Sequence, residues 1–348
     1  MLTNLYFFSG VLIVLFIATD IIWTTLRVNG GGPLTARLAN GVWELALKIH
    51  HRRRSHRWLN NVGFTIVIVT ILTWGVVLWF GWTLIFLSGE RAVVNAQTSL
   101  PAGTIERAYF VGYTLITLGL GDYRADGSFW RIATVLASAN GFVFVTLIVT
   151  YILPVVSAVS AKRQFATYVQ SLGKTPEDIV TRAWNGQDFG HLYQHCINLT
   201  PMILSMAQQR LSYPIIHCFH GYEARTGDSP NLALLSEALL LLEHGVSAES
   251  RPDPTALYPL RNAITVFLDT MGSRGIDLDA QSPQLPNIDE IRVHGISTVS
   301  DQSFQLAVEE RQLERQRLAA LIHWDGWAWD EVIDVIIPDT IQKMRFVK

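Results

Sequence analysis

Thr117-Leu118-Gly119-Leu120-Gly121-Asp122 closes an apolar segment, Ile105 to Ile116, of about three helical turns. A stretch that short cannot cross a hydrocarbon core, which takes roughly 20 apolar residues. The runs on either side can: residues 62–89 and 132–161 contain no charged side chain. A short apolar segment between two spans has to dip in and return. Irregular backbone at that depth is tolerated only where it is buried in protein or lines water. The alternating glycines suit such a lining, because successive carbonyls facing one axis need conformations that a Cβ resists. Gly119 and Gly121 hold those positions.

Composition agrees with a membrane chain. Of 348 residues, 49% are hydrophobic and 16% charged, where a soluble domain carries about 25% charged. Residues 5–26 form a further apolar run, with Trp23 near its end and a single carboxylate, Asp20. No basic residue precedes this run, so it reads as a retained span rather than a cleaved leader. A carboxylate there is costly unless it faces protein or lies near headgroups. It reads either as a coupling or gating group or as an interfacial residue.

Residues 27–61 form a linker with Leu34, Leu38, Val42, Leu45 and Ile49 at helical spacing and a basic run from His50 to Arg57. The expectation is a helix lying on the membrane surface with its basic end at anionic headgroups, and no nucleic-acid partner. This linker holds seven basic residues (Arg27, Arg37, Lys48, Arg52, Arg53, Arg54 and Arg57), against four in 90–131 (Arg91, Arg107, Arg124 and Arg131). The positive-inside rule then puts the linker and everything after the third span in the cytoplasm, and the N-terminus outside. Trp74, Trp79 and Trp82 fall in the outer half of the second span, and Thr104 reads as the N-cap of the short segment.

The arrangement of span, short segment with Thr-x-Gly-x-Gly-Asp, and span, over residues 62–161, resembles the pore unit of tetrameric potassium channels, whose usual filter reads Thr-Val-Gly-Tyr-Gly-Asp. With Leu120 in the tyrosine position and Tyr123 after the aspartate, it is most similar to the second filter of two-pore-domain potassium channels. With the apolar run at 5–26, the reading is an all-α membrane protein with three transmembrane helices, to which the resemblance adds a re-entrant pore helix and a filter. It implies that Thr117, Leu118, Gly119, Leu120 and Gly121 coordinate the permeant ion through backbone oxygens, with the Thr117 hydroxyl at the inner mouth and Tyr113 and Asp122 as filter support. Leu118 and Leu120 would point away from the axis and pack against surrounding helices. One motif per chain implies a homotetramer in the plasma membrane, with potassium as permeant ion and no cofactor or catalytic residue. Leucine lacks the hydroxyl of the usual tyrosine, so a weakly selective cation channel is the alternative. A membrane-anchored sensor with a non-conducting pore unit is the alternative from another class. In the third span, Gly141 and Pro154 are candidate gating hinges, while a small residue such as Gly141 also permits close helix packing.

Residues 162–348 read as an α-helical cytoplasmic domain whose ligand or partner the sequence leaves open. Thr175-Pro176-Glu177-Asp178 is a helix start, and apolar helical spacing recurs in 191–209, 231–244, 257–271 and 303–323. No Gly-x-Gly-x-x-Gly follows a strand, which argues against a Rossmann-type regulator. His191, His195 and Cys196, with His217, Cys218 and His220, are metal-ligand types, but no CxxC or carboxylate joins them, and core or surface roles are expected. Cys196 and Cys218 should be reduced thiols. Glu309, Glu310, Arg311, Glu314, Arg315 and Arg317 are expected to form a solvated helix face. Trp324, Trp327 and Trp329 read as core or a subunit contact.

Overall fold

A computed structural model of the chain describes residues 2–27, 31–53, 56–221, 223–270 and 283–329, with side chains described for all of these except 2, 50–53, 56–58 and 214. The basic run His50–Arg57 therefore lies outside the described side chains, as does most of the expected break at 272–286. The described residues are mostly helical, and three helices among them are long and apolar enough to cross a membrane: Thr3–Leu26, Leu59–Leu87 and Ser128–Leu172. Only 28%, 28% and 17% of their most apolar windows are buried. Leu12, Phe64, Val135 and Phe142 are among the exposed side chains. Apolar surface of that extent requires a lipid surround.

The chain forms two compact units. The first contains α1 (Leu2–Leu26), the start of α2 (Pro33–Arg53), and α3 (His56–Leu87) from Phe64. It continues with β1 (Val93–Asn95), α4 (Thr104–Leu115), β2 (Tyr123–Ala125), α5 (Ser128–Leu172) as far as Val156, and Ser212–Pro214. Its core gathers Ile17, Ile21, Trp74, Leu78, Phe86, Phe110 and Val111. The strands pair antiparallel, Val93 opposite Ala125 and Asn95 opposite Tyr123. So short a hairpin has no run of alternating residues by which a sequence could announce it.

The second unit takes residues 43–63, 157–211 and 215–348. Its later helices are α6 (Pro176–Ala183), α7 (Leu192–Ser212, to Leu211), α8 (Asp228–Leu240), α9 (Pro254–Asp269), α10 (Ile288–Val293), α11 (Asp301–Glu310) and α12 (Gln312–Trp324). Every residue of α8 is buried, including Asp228, Asn231 and Glu237, which are partnered by Lys162, Gln170 and Arg315 as buried polar groups must be, and it packs on α6, α9 and α12. The Thr175 hydroxyl caps α6, accepting from the Asp178 amide at 3.0 Å.

Two sequence expectations differ in the structure: the buried face of α2 and the solvation of 309–317. The unit boundaries fall at 42/43, 63/64 and 156/157. The distal linker is built into the second unit, where Trp43 meets His217 edge-on at 5.7 Å and a Cβ on Gly63 would press on Phe219. The face of α2 that is buried is Thr35, Ala39 and Trp43, while Leu45 and Ile49 of the expected stripe are exposed. The charged stretch at 309–317 is only partly solvated. Arg315 forms a buried bidentate pair with Glu237 (2.8 and 3.0 Å), and Glu314 takes a 2.7 Å bond from buried Arg261. The chain breaks at Arg311 between α11 and α12, and this rotates Glu314 and Arg315 inward.

Candidate functional site

The motif at 117–122 forms an exposed, non-helical strand directly after α4. Its backbone has a repeating signature. Thr117, Gly119 and Gly121 have φ of +58°, +58° and +81°, whereas Leu118 and Leu120 stay outside the left-handed region. Peptide groups whose flanking residues alternate between right- and left-handed conformations turn their N–H groups to one side, and their carbonyls to the other. None of the carbonyls from 117 to 121 accepts a hydrogen bond from the described residues. The sequence assigns unusual backbone to Gly119 and Gly121 only. Thr117 shares it, and a β-branched residue with positive φ is a genuine outlier that costs about 1–3 kcal/mol. Backbone bonds brace it on both sides, from the Thr117 amide to Thr114 O (3.0 Å) and from the Leu118 amide to Tyr113 O (2.8 Å). Leu118 and Leu120 are 58% and 52% exposed in the single chain.

Both ends of the loop are tied down. Beyond the motif, the Asp122 carbonyl accepts from the Ala96 amide at 2.9 Å, and the hairpin of β1 and β2 follows at once. The Asp122 carboxylate lies against the Tyr109 phenol. Buried Tyr113 donates its hydroxyl to the Tyr123 carbonyl at 2.7 Å, and its ring packs on Phe110 and Tyr109. Tyr113 and Asp122 thus hold the far end of the strand. Before the motif, α4 begins at Thr104 with Gly103 as its cap. Thr104 is the first helical residue rather than the cap, because Gly103, in extended conformation, supplies the first helical carbonyl, to Arg107.

Arg107 is the residue that a reading of the sequence has no ground to select. Counted there as one of four loop cations, it is 8% exposed and donates to five carbonyls: Ala102 (2.8 Å), Phe86 (3.1 Å), Leu87 (3.4 Å), Gly89 (2.7 Å) and Glu90 (2.5 Å). Four of these belong to the end of α3 and the turn after it, where carbonyls have no helical partner. One guanidinium thus fixes the start of α4 to the end of α3.

The remaining candidates have defined places. Asp20 is completely buried. Its carboxylate accepts from the Leu34 and Thr35 amides (2.7 and 3.4 Å), the Thr35 hydroxyl (2.6 Å) and Trp74 Nε1 (2.9 Å). It caps α2 from a distance and joins α1, α2 and α3; a Cβ on Gly32 would fall on it. Trp74 is a buried donor inside the bundle. Trp79 and Trp82 also donate within the bundle, to Ala108 O (2.8 Å) and Asn140 Oδ1 (3.1 Å). Gly141 and Pro154 both lie inside continuous α5. A Cβ on Gly141 would overlap the Leu115 carbonyl, which gives that glycine a close-packing role against the end of α4.

In the second unit, His195 bonds the Tyr168 hydroxyl at 2.9 Å, His217 stacks on Trp324 at 4.6 Å, and His220 stacks on Trp327 at 4.3 Å. Cys196 and Cys218 are buried free thiols, and burial pushes Cys196 up to about 11. Among the described residues no three His, Cys, Asp or Glu side chains gather as a metal-binding group. Trp327 is core, and Trp324 and Trp329 pack against it partly buried.

No family model matches the chain and no solved structure matches it. The chain is 32% identical over 325 residues to YdjJ of Bacillus subtilis (strain 168), described as an uncharacterized membrane protein, with 93% of this chain and 95% of that one covered. Near-complete coverage at that identity, together with three apolar helices, makes this a membrane protein of the same family as Bacillus subtilis YdjJ.

Proposed function

We propose that the chain is one subunit of a homotetrameric, passive potassium channel of the plasma membrane. In this reading Thr117, Leu118, Gly119, Leu120 and Gly121 lend backbone carbonyls to the ion path. The observation that carries the reading is the alternation of φ at Thr117, Gly119 and Gly121 on an exposed strand whose carbonyls are unbonded. A cation that sheds its water needs stacked oxygen ligands without fixed charge, and rings of backbone carbonyls supply them. One chain offers one strand. Four copies around an axis would close the ring and cover Leu118 and Leu120.

In this reading α4 is the re-entrant pore helix, and its C-terminal partial negative charge favours a cation next to Thr117. The N-terminus lies outside, and the linker and the second unit are cytoplasmic. Tyr113, through its bond to the Tyr123 carbonyl, provides a hydroxyl tie close to the one that Leu120 cannot make.

The test is the reversal potential of purified protein in lipid bilayers under opposed potassium and sodium gradients. A value near the potassium equilibrium potential supports the reading. Clear currents reversing near zero would replace it with a weakly selective cation channel, the reading that Leu120 favours. Absence of potassium flux from tetrameric protein across a range of voltage and pH would sink conduction altogether.

A further inference from the structure

The second unit contains a cavity of about 380 Å³ beside the turn Leu241–Gly245, which extends α8 with π-helical bonding. Turns of that kind are rare and occur frequently at functional sites. Glu243, His244, Arg251, Tyr258, Arg261 and Arg311 supply its polar lining, and Pro252, Pro254 and Leu257 an apolar wall. The three arginines are not equivalent. Arg261 is neutralised by Glu243 (2.9 Å) and Glu314 (2.7 Å) and is a fixed part of the wall. Arg251 donates to the Val246 carbonyl (3.4 and 3.1 Å) and has no carboxylate partner among the described residues. Arg311 has Glu314 no nearer than 3.9 Å. Arg251 thus brings positive charge to the cavity without a carboxylate partner among the described residues, and Arg311 does so with only this long contact to Glu314, while the Glu243 carboxylate in the lining is held by Arg261. His244 adds a buried Nε2 that lacks a hydrogen-bond partner among the described residues. Burial lowers its pKa, the neighbouring Glu243 carboxylate opposes that shift, and Arg311, Arg251 and Arg261 add to it, so all three guanidiniums act on this imidazole.

We propose that this cavity binds a small phosphate-bearing molecule, with Arg251 and Arg311 holding the phosphate. Guanidinium forks match phosphate oxygens in pairs. The volume falls in the range of small-molecule sites, roughly 300–1,000 Å³, and the proline and leucine wall accepts an apolar or aromatic body. Binding here is independent of whether the chain conducts.

The test is calorimetric titration of the full chain, held in phosphatidylcholine nanodiscs, with inorganic pyrophosphate and with adenosine monophosphate. Saturable binding is expected, weakened at least about tenfold in Arg251→Gln/Arg311→Gln, the loss of one charge-assisted hydrogen bond or more. The same titration in nanodiscs containing phosphatidic acid separates the sources. Competition would identify a lipid headgroup as the phosphate donor, and its absence a soluble molecule. The double variant should melt as the native chain does without probe. If it does not, Arg311→Gln alone, whose side chain is 40% exposed, provides the comparison. No saturable binding of either probe up to about 10 mM, or equal binding by the variant, overturns the proposal.

Discussion

Replacing Arg107 with methionine tests the architecture of the candidate pore loop most directly. Methionine keeps much of the apolar stem and removes every donor. It would leave five carbonyls without this partner, four of them at 3.1 Å or closer. A hydrogen bond to a charged group contributes roughly 1.5–3 kcal/mol. The five are not additive, because some carbonyls regain water once the site opens. A buried acceptor left without a donor costs about 1–3 kcal/mol, so with part of the five rehydrated the expected loss is about 3–5 kcal/mol. With about 2–8 °C per kcal/mol for units of this size, melting of the purified protein should fall by on the order of 10 °C. Arg107→Lys should fall in between, since an ammonium has three donors where the guanidinium has five. Potassium flux should drop in both variants in the same order, because α4 loses its fixed start. A methionine variant that melts within about 1 °C of the native chain, or a lysine variant indistinguishable from it, would refute the reasoning.

Four further outcomes are expected. Gly119→Ala places a Cβ at φ +58° with nothing within 4 Å of it. Its cost is therefore the local backbone preference, about 1–2 kcal/mol, and the variant should assemble normally yet pass no current in a bilayer recording. Gly141→Ala drives a methyl into the Leu115 carbonyl and should cost about 1–3 kcal/mol in thermal melting, with reduced flux. Asp20→Asn turns one of the two acceptor oxygens into a donor facing other donors and should cost about 1–3 kcal/mol, accompanied by a change in tryptophan emission from Trp74. Burial lowers the pKa of His244 in the folded chain. Its contribution to stability is therefore full above the unfolded value of about 6.5 and is lost as pH falls through the folded value. Melting at pH 7.5 and 5.5 should show a drop that His244→Gln reduces.

What the sequence made legible was whatever rests on composition and on glycine. Three uncharged or nearly uncharged runs read correctly as helices of spanning length, and the Thr175 start of α6 was read residue by residue. Contacts between remote residues were hidden. Asp20 is four hydrogen bonds' worth of helix cap, but its donors lie 14, 15 and 54 positions away. Arg107 counts as a loop cation until the end of α3 is brought beside it. Arg315 and Glu314 read as surface because their partners, Glu237 and Arg261, sit on other helices. Thr117 reads as an oxygen ligand, through its carbonyl and its hydroxyl, and a β-branched side chain gives no sign of its left-handed backbone.

The close approach of Gly141 to Leu115 has a mechanical consequence. Leu115 is two residues from Thr117, so a bend of α5 centred on Gly141 would push on the peptide that leads into the motif. Inner helix and loop entrance behave as meshed parts at that level, and a hinge there could not turn alone. Pro154 lies thirteen residues further along the same helix, more than three turns away. A bend at that point would leave the Leu115 carbonyl where it is. In the proposed channel, a bend at Gly141 would therefore act on the loop entrance through Leu115, and a bend at Pro154 would not.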